Sequence, residues 1–335
     1  MTPIPSQRRL RAAQMLILAN VGWGLSFPTM KAIALLQQPL LPHSSSWFVA
    51  SSTIALRFAL ATLIMALVCL RTVRGLTRLE IWEGVGLGLF ASAGLIFQMD
   101  GLTYTSASTS AFLTQFYCLT IPVWVACREG RWPSGRTVAG CLMVIVGVSV
   151  LSEFDWRQLR LGRGECETLI GSIIFTGQIL WLQRPRFARN NVNRFTLVMF
   201  AVITVVAVPV AWATGSAEDH WIQTWASGPA LASVLILTGF CTLGAYLLMN
   251  YWQPLLTATQ AGLIYCLEPV FASLFALFLP AWFSNWYGIQ YANEQIGWSL
   301  LVGGGLITVA NVLVQSAAPA TIPPAPERGA ATAGP

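Results

Sequence analysis

Apolar residues run along this chain in long blocks, separated by short joints that carry arginine, glycine or proline. A bilayer crossing needs about 20 mostly apolar residues. Ten blocks meet or approach that length: 13–36, 48–70, 80–98, 104–127, 136–152, 166–183, 194–213, 229–250, 255–280 and 296–315. The pattern predicts an all-α integral membrane protein with ten transmembrane helices. Arg8, Arg9 and Arg11 ahead of the first block imitate a signal peptide. That block is too long for a signal core, though, holds Asn20 and Lys31, and lacks a small-residue cleavage site, so it is read as a retained first helix. Residues 1–12 then form a short N-terminal segment. The Pro/Ala-rich stretch 316–335 has no core to join and is expected to be disordered.

Composition agrees. Of 335 residues, 55% are hydrophobic and 10% charged, with a mean hydropathy of +0.63; soluble domains carry about 25% charged residues. The net charge is +6, but the basic residues sit between apolar blocks without interleaved aromatics, which argues against a nucleic-acid partner. The seven cysteines show no CxxC pair or Cys/His ligand spacing, so neither a disulfide framework nor a metal site is expected. No cofactor motif is present. His43 and His220 fall in connecting segments.

The arginines orient the chain. With both termini cytoplasmic, fourteen of the 19 Lys/Arg residues fall in inner segments and three (Arg157, Arg160, Arg163) in an outer loop, Lys31 and Arg57 lying within helices. That bias fits the positive-inside rule, and Trp47, Trp82, Trp132, Trp156, Trp225, Trp252 and Trp282 near block ends fit an interfacial belt.

The blocks divide near residue 160 into two sets of five. The fourth contains "FYCLTIPVW" and the ninth "IYCLEPVF", each followed by a glycine-rich apolar block, "GCLMVIVGV" or "GWSLLVGGGL". Five spans per half place the second copy upside down, an arrangement typical of secondary transporters with a substrate site at the repeat interface. Together with "WGLSFPTMK" in block 1, "LRFALA" in block 2 and "SAFLTQFYCLTIPVWVACREGRWPS" around block 4, these stretches resemble the EamA-type transporters of the drug/metabolite transporter superfamily. The resemblance covers about residues 13–315. It implies two inverted five-helix repeats, 13–160 and 161–315, in a multi-pass protein of the bacterial cytoplasmic membrane. The family places a Gly-Glu pair at the exits of helices 4 and 9. Glu129 stands at the first position, whereas block 9 runs on into "LPAWFSNWYGIQYANEQIGW" without such a pair, so the connection between helices 9 and 10 is unusual.

Several polar residues lie inside the blocks. Glu268 is about 13 residues into block 9, ~20 Å along a helix and near the midplane. A charge there costs roughly 2.5–3.5 kcal/mol, which protonation would reduce. It is read as a proton or substrate-cation site, or else as a carboxyl bonded to backbone freed by Pro269. Arg57 lies at similar depth in block 2 and does not neutralise by losing its proton, so it needs a partner or water. Trp23, Phe27 and Lys31 share one face of helix 1 with Asn20 and Gly24, and Lys31 could alternatively snorkel to the surface. Ser110, Thr114 and Tyr117 line one face of helix 4, as Gln260, Ile264 and Glu268 do on helix 9. Such stripes line a solute route or serve as interhelical hydrogen bonds. Pro28, Pro122 and Pro269 remove ladder bonds to Gly24, Cys118 and Tyr265 and are candidate hinges or plain kinks. Gly84 and Gly88 permit close helix contact within the bundle, or a homodimer interface.

The chain carries no HExxH, Ser/His/Asp set, intramembrane aspartate pair or P-loop, so no catalytic residue is assigned and an enzyme is the rival reading, with a channel as a third. The leading expectation is a secondary transporter of a small metabolite, an amino acid or amphiphilic compound, working by alternating access, with export the commoner implication of the resemblance and protons as candidate coupling ions. A phosphorylated-sugar or nucleotide-sugar carrier is the alternative within that class.

Overall fold

The structure, a computed structural model, describes residues 6–105, 107–130, 132–151, 162–219, 222, 225–295 and 297–315. His220, Arg131, Trp156, Arg157, Arg160 and the tail 316–335 lie outside them. Among the described residues the secondary structure is all helical. The helices are α1 (Ser6–Gln37), α2 (Ser46–Cys69), α3 (Arg78–Tyr104), α4 (Ala107–Thr114), α5 (Tyr117–Glu129), α6 (Gly135–Leu151), α7 (Arg163–Leu182), α8 (Val192–Thr214), α9 (Gly228–Leu255), α10 (Ala258–Tyr265), α11 (Glu268–Ala276), α12 (Leu279–Tyr287) and α13 (Trp298–Gln315).

Among the described residues, six stretches are long and apolar enough to cross a membrane: α2, α3, Ser110–Glu129, α8, α9 and Ala258–Ala276. Shorter apolar stretches lie in α6 and α13. The protein is thus a multi-pass membrane protein, turned inside out relative to a soluble domain. Leu63, Leu67, Val205, Trp212 and Phe240 are exposed, while Asn20, Arg57, Glu83, Asp100 and Asn250 are buried. In hydrocarbon the lipid-facing side chains are apolar and polar groups find partners inside the bundle. In the packing, α1 lies against α9 and α11, and α7 against α3, α4 and α5. Around them α2 packs on α8, α3 on α8, and α6 on α13.

Capping fixes several starts. Thr77 with Glu80 forms a capping box at α3, and Thr257 with Gln260 does so at α10, each satisfying two orphan amides. Gly130 after α5 and Gly288 after α12 take φ of 61° and 67°, the left-handed closure that glycine adopts without a Cβ penalty.

Three expectations change. The first helix starts at Ser6, not at residue 13. The fourth block was expected as one helix over 104–127, but α3 runs on to Tyr104, and α4 and α5 are separate helices meeting at Gln115–Phe116. The ninth, expected over 255–280, is three helices with a break at Cys266–Leu267, so Pro269 stands in the first turn of α11, where a missing N–H leaves nothing unpaired. Beyond it α12 folds back: the Glu294 amide donates to Ala276 O at 2.9 Å, and Tyr291 and Asn293 hydrogen-bond to Ser284 and Ala281. That hairpin is the long connection noted in the sequence.

Candidate functional site

The two helix breaks face the middle of the bundle, and neighbouring helices satisfy the carbonyls there. Ser172 Oγ on α7 donates to Thr114 O at 2.8 Å, and Asn20 Nδ2 on α1 donates to Ile264 O at 3.2 Å. Thr120 on α5 meets Thr176 on α7. At the matching crossing, Gly24 on α1 lies so close to α11 that a Cβ there would stand 2.6 Å from Phe271 Cβ. Pro122 frees the carbonyl of Cys118, which the Cys141 thiol reaches at 3.2 Å.

Between the breaks lies a cavity of ≈ 70 Å³, several times the ~10–15 Å³ that one water requires. Its walls come from α1 (Trp23, Ser26, Met30), α2 (Arg57), α3 (Leu95, Gln98), α4 and α5 (Thr114, Tyr117), α7 (Phe175, Gln178, Ile179), α9 (Tyr246, Met249), and α10 and α11 (Tyr265, Glu268). These walls fall into pairs: Trp23 with Phe175, Ser26 with Gln178, Leu95 with Tyr246, Gln98 with Met249, Thr114 with Tyr265, and Tyr117 with Glu268. Within one residue, every pair is separated by the same distance along the chain.

One side of the cavity is aromatic. Trp23 packs edge-on against Tyr246 and Tyr265, with ring centroids 5.7 and 5.2 Å apart, and Tyr246 packs on Phe58 at 5.9 Å. The Tyr265 hydroxyl is engaged by Gln253 Oε1 at 2.8 Å, and Gln98 Nε2 donates to Thr114 Oγ1 at 3.0 Å.

Two ionisable groups complete the walls. Arg57 is buried and held by α9, its Nε donating to Thr242 Oγ1 and its Nη2 to Cys241 O at 2.8 Å; Nη1 lies 3.9 Å from Met30 Sδ. These acceptors sit in a π-helical stretch, Leu237–Gly244. In an α-helix such carbonyls are committed to the ladder; widening to i→i+5 bonding disturbs that pattern and leaves Cys241 O to the guanidinium. Glu268, also buried, begins α11. Arg57 and Glu268 form no ion pair with each other.

Of the ten residues singled out from the sequence, the structure brings Trp23, Arg57, Thr114, Tyr117 and Glu268 to this cavity. The others lie apart from it. Phe27 is buried in the core. Lys31 Nζ donates to Leu102 O at 2.9 Å and Thr105 O at 3.4 Å, closing the end of α3. Ser110 faces Thr168 on α7, Gln260 caps α10, and Ile264 is buried, its carbonyl the one taken by Asn20. The lining residues on α3, α7 and α9 were not singled out. Their signal is the repeat spacing: once the two breaks are set opposite one another, each first-half position points to a second-half partner.

Residues 10–153 match the EamA-like transporter family. An uncharacterized transporter of Archaeoglobus fulgidus is 25% identical over 272 residues, 81% of this chain and 78% of its own length. A second uncharacterized transporter of the same organism is 24% identical, covering 78% of this chain and 86% of its own. One solved crystal structure, 16% identical, shares the fold with a TM-score of 0.64 over 91% of this chain and 96% of that one.

Proposed function

From the premise that the chain is a membrane transporter bearing an EamA-like domain, we propose that it carries a small zwitterion or amphiphile, an amino acid or a compound of similar chemistry. One observation carries this reading. Arg57 and Glu268 share a cavity wall without forming an ion pair, beside an aromatic surface made by Trp23, Tyr246 and Tyr265. Arg57 would meet a carboxylate with the donors that α9 leaves free, since a guanidinium has five N–H groups. Glu268 would meet an ammonium, and the aromatic side would take an apolar body. A phosphorylated sugar fits less well: Lys31 is occupied at the end of α3, and Glu268 would repel the phosphate.

The reading includes ten transmembrane helices in two inverted repeats, 13–160 and 161–315, with both termini cytoplasmic. The constant spacing of the lining pairs supports it, as does the packing. Exchanging the halves turns α3 on α7 into α9 on α1, and α4–α5 on α7 into α10–α11 on α1. It leaves α2 on α8 and α6 on α13 unchanged, and all of these contacts exist. Rocking of the halves about the two breaks would open the cavity to each side in turn, with export the direction that the family implies. Glu268, when vacant, would carry a proton.

Counterflow in proteoliposomes tests this. Vesicles preloaded with unlabelled amino acids should accumulate labelled ones saturably. Glu268→Gln and Arg57→Gln should each abolish accumulation, and Glu268→Gln should also remove its dependence on a pH gradient. Saturable exchange that survives in both variants would sink the proposal.

A further inference from the structure

A second group of buried charges stands at the Tyr104 end of α3, apart from the cavity. Arg163, the first residue of α7, donates from Nη2 to Asp100 Oδ2 at 2.7 Å, from Nε to Glu167 Oε1 at 2.8 Å, and from Nη1 to the Tyr104 hydroxyl at 2.8 Å. Its guanidinium also lies 4.4 Å above the Tyr104 ring. The Asp100 side chain is 0% exposed and that of Glu167 10%. Their remaining oxygens, Asp100 Oδ1 and Glu167 Oε2, are buried without a hydrogen-bond donor, and both carboxylates sit on the one guanidinium.

Among the described residues, none of the surrounding elements gives those two oxygens a hydrogen bond. From α1 comes Lys31, whose ammonium is on the carbonyls of Leu102 and Thr105 and makes no ion pair with Asp100. From α2 comes Ser46, whose hydroxyl is 2.8 Å from that of Tyr104. From α4 comes Ser110, 3.4 Å from Thr168 Oγ1, which itself donates to Gly164 O. On α7, Glu165 lies against Gly162. One guanidinium therefore faces two carboxylates. Fully ionised, the triad keeps a net negative charge, two buried carboxylates sharing one half-exposed guanidinium, an arrangement that favours one carboxyl holding its proton.

We propose that Asp100 and Glu167 form a proton-binding site, distinct from Glu268, in which one proton bridges Asp100 Oδ1 and Glu167 Oε2 while Arg163 bridges the opposite oxygens. Uptake forms one O–H bond from a solvent proton and breaks none, taking the triad from net −1 to neutral. Loss of that proton leaves the two carboxylates repelling across the α3–α7 contact, with only Arg163 to offset them. Binding the proton thus tightens the joint and releasing it loosens the joint. Because α3 and α7 both line the cavity, a proton here would favour closure of this end. That last clause rests on the transport reading; the site itself does not.

Difference infrared spectroscopy of the purified full chain in detergent, across a pH step, tests the site without any transport assay. A protonated-carboxyl band should titrate in the Glu268→Gln protein, where Glu268 no longer contributes, and disappear when Glu167→Gln or Asp100→Asn is added to it. A band unchanged by both additions, or one abolished by Glu268→Gln alone, overturns the proposal. Thermal unfolding gives a second readout that does not need Asp100→Asn to fold. Glu167→Gln places a permanent N–H donor where the shared proton would sit. Compared in the Glu268→Gln background, the melting midpoint should fall as pH rises toward neutrality, and fall less steeply once Glu167→Gln is added. Equal slopes in the two proteins would refute it.

Discussion

Between α4 and α5 the chain breaks at Gln115–Phe116, and between α10 and α11 at Cys266–Leu267. In each case a helix from the other half fills the gap, Ser172 at the first and Asn20 at the second. What the two broken helices present to the cavity differs: where the first offers the Tyr117 phenol, the second offers the Glu268 carboxyl. The backbone frame is thus used twice and the charge once. The same kind of break can be built twice while only one of the two brings a carboxyl to the cavity.

Exchanging the two wall groups should sharpen that contrast most. Hydrogen bonds to charged groups contribute ~1.5–3 kcal/mol, so Glu268→Gln is expected to weaken substrate binding about 10- to 150-fold, measured by calorimetry or counterflow. Tyr117→Phe, its counterpart, should change binding only several-fold. Equal effects would mean that the two copies share the recognition after all.

The crossings behind the breaks differ in tolerance. A side chain at Gly24 must displace Phe271 and the backbone of Ala272, so Gly24→Val should destabilise the protein by ~1–3 kcal/mol through overpacking. At the corresponding crossing Thr176 already has a side chain, and Thr176→Val should cost less, losing chiefly its contact with Thr120. Thermal unfolding in one detergent compares the pair. The smallest effects belong to the two gap-filling bonds. Asn20→Ala and Ser172→Ala should each lose about 0.6 kcal/mol, the average for interhelical hydrogen bonds in membranes, and nearly equal losses would show that the joints are energetically matched.

Much of this frame was legible in the sequence because lipid imposes long apolar blocks, and prolines with a buried glutamate stand out within them. The Tyr-Cys-Leu triplet recurs in the two broken stretches, but three residues out of step with the cavity-lining pairs. Superposing the triplets would pair Tyr117 with Tyr265, whereas the breaks pair Thr114 with Tyr265 and Tyr117 with Glu268. Chain breaks depend on which neighbour can satisfy the exposed carbonyls, and that is tertiary information. For the same reason Lys31 could not be placed from its helical face alone. Its long stem carries the ammonium away from Trp23 to carbonyls at the end of α3. Gln98, Gln178 and Tyr246 escaped notice because a lone polar or aromatic residue in an apolar block is unremarkable until its counterpart in the other half is known.

The π-helical stretch in α9 has a consequence for how the chain tolerates changes in length. A π turn holds an extra residue relative to the α-helix around it, so Leu237–Gly244 behaves as an insertion absorbed in place. Deleting one residue there, Gly239 for instance, would let α9 regularise into an uninterrupted α-helix. The residues on either side would keep their faces, Tyr246 and Met249 staying on the cavity wall, while the turn that presents Cys241 O and Thr242 to Arg57 is lost. A deletion at this one place would spare the wall that α9 builds and take away the seat of the arginine.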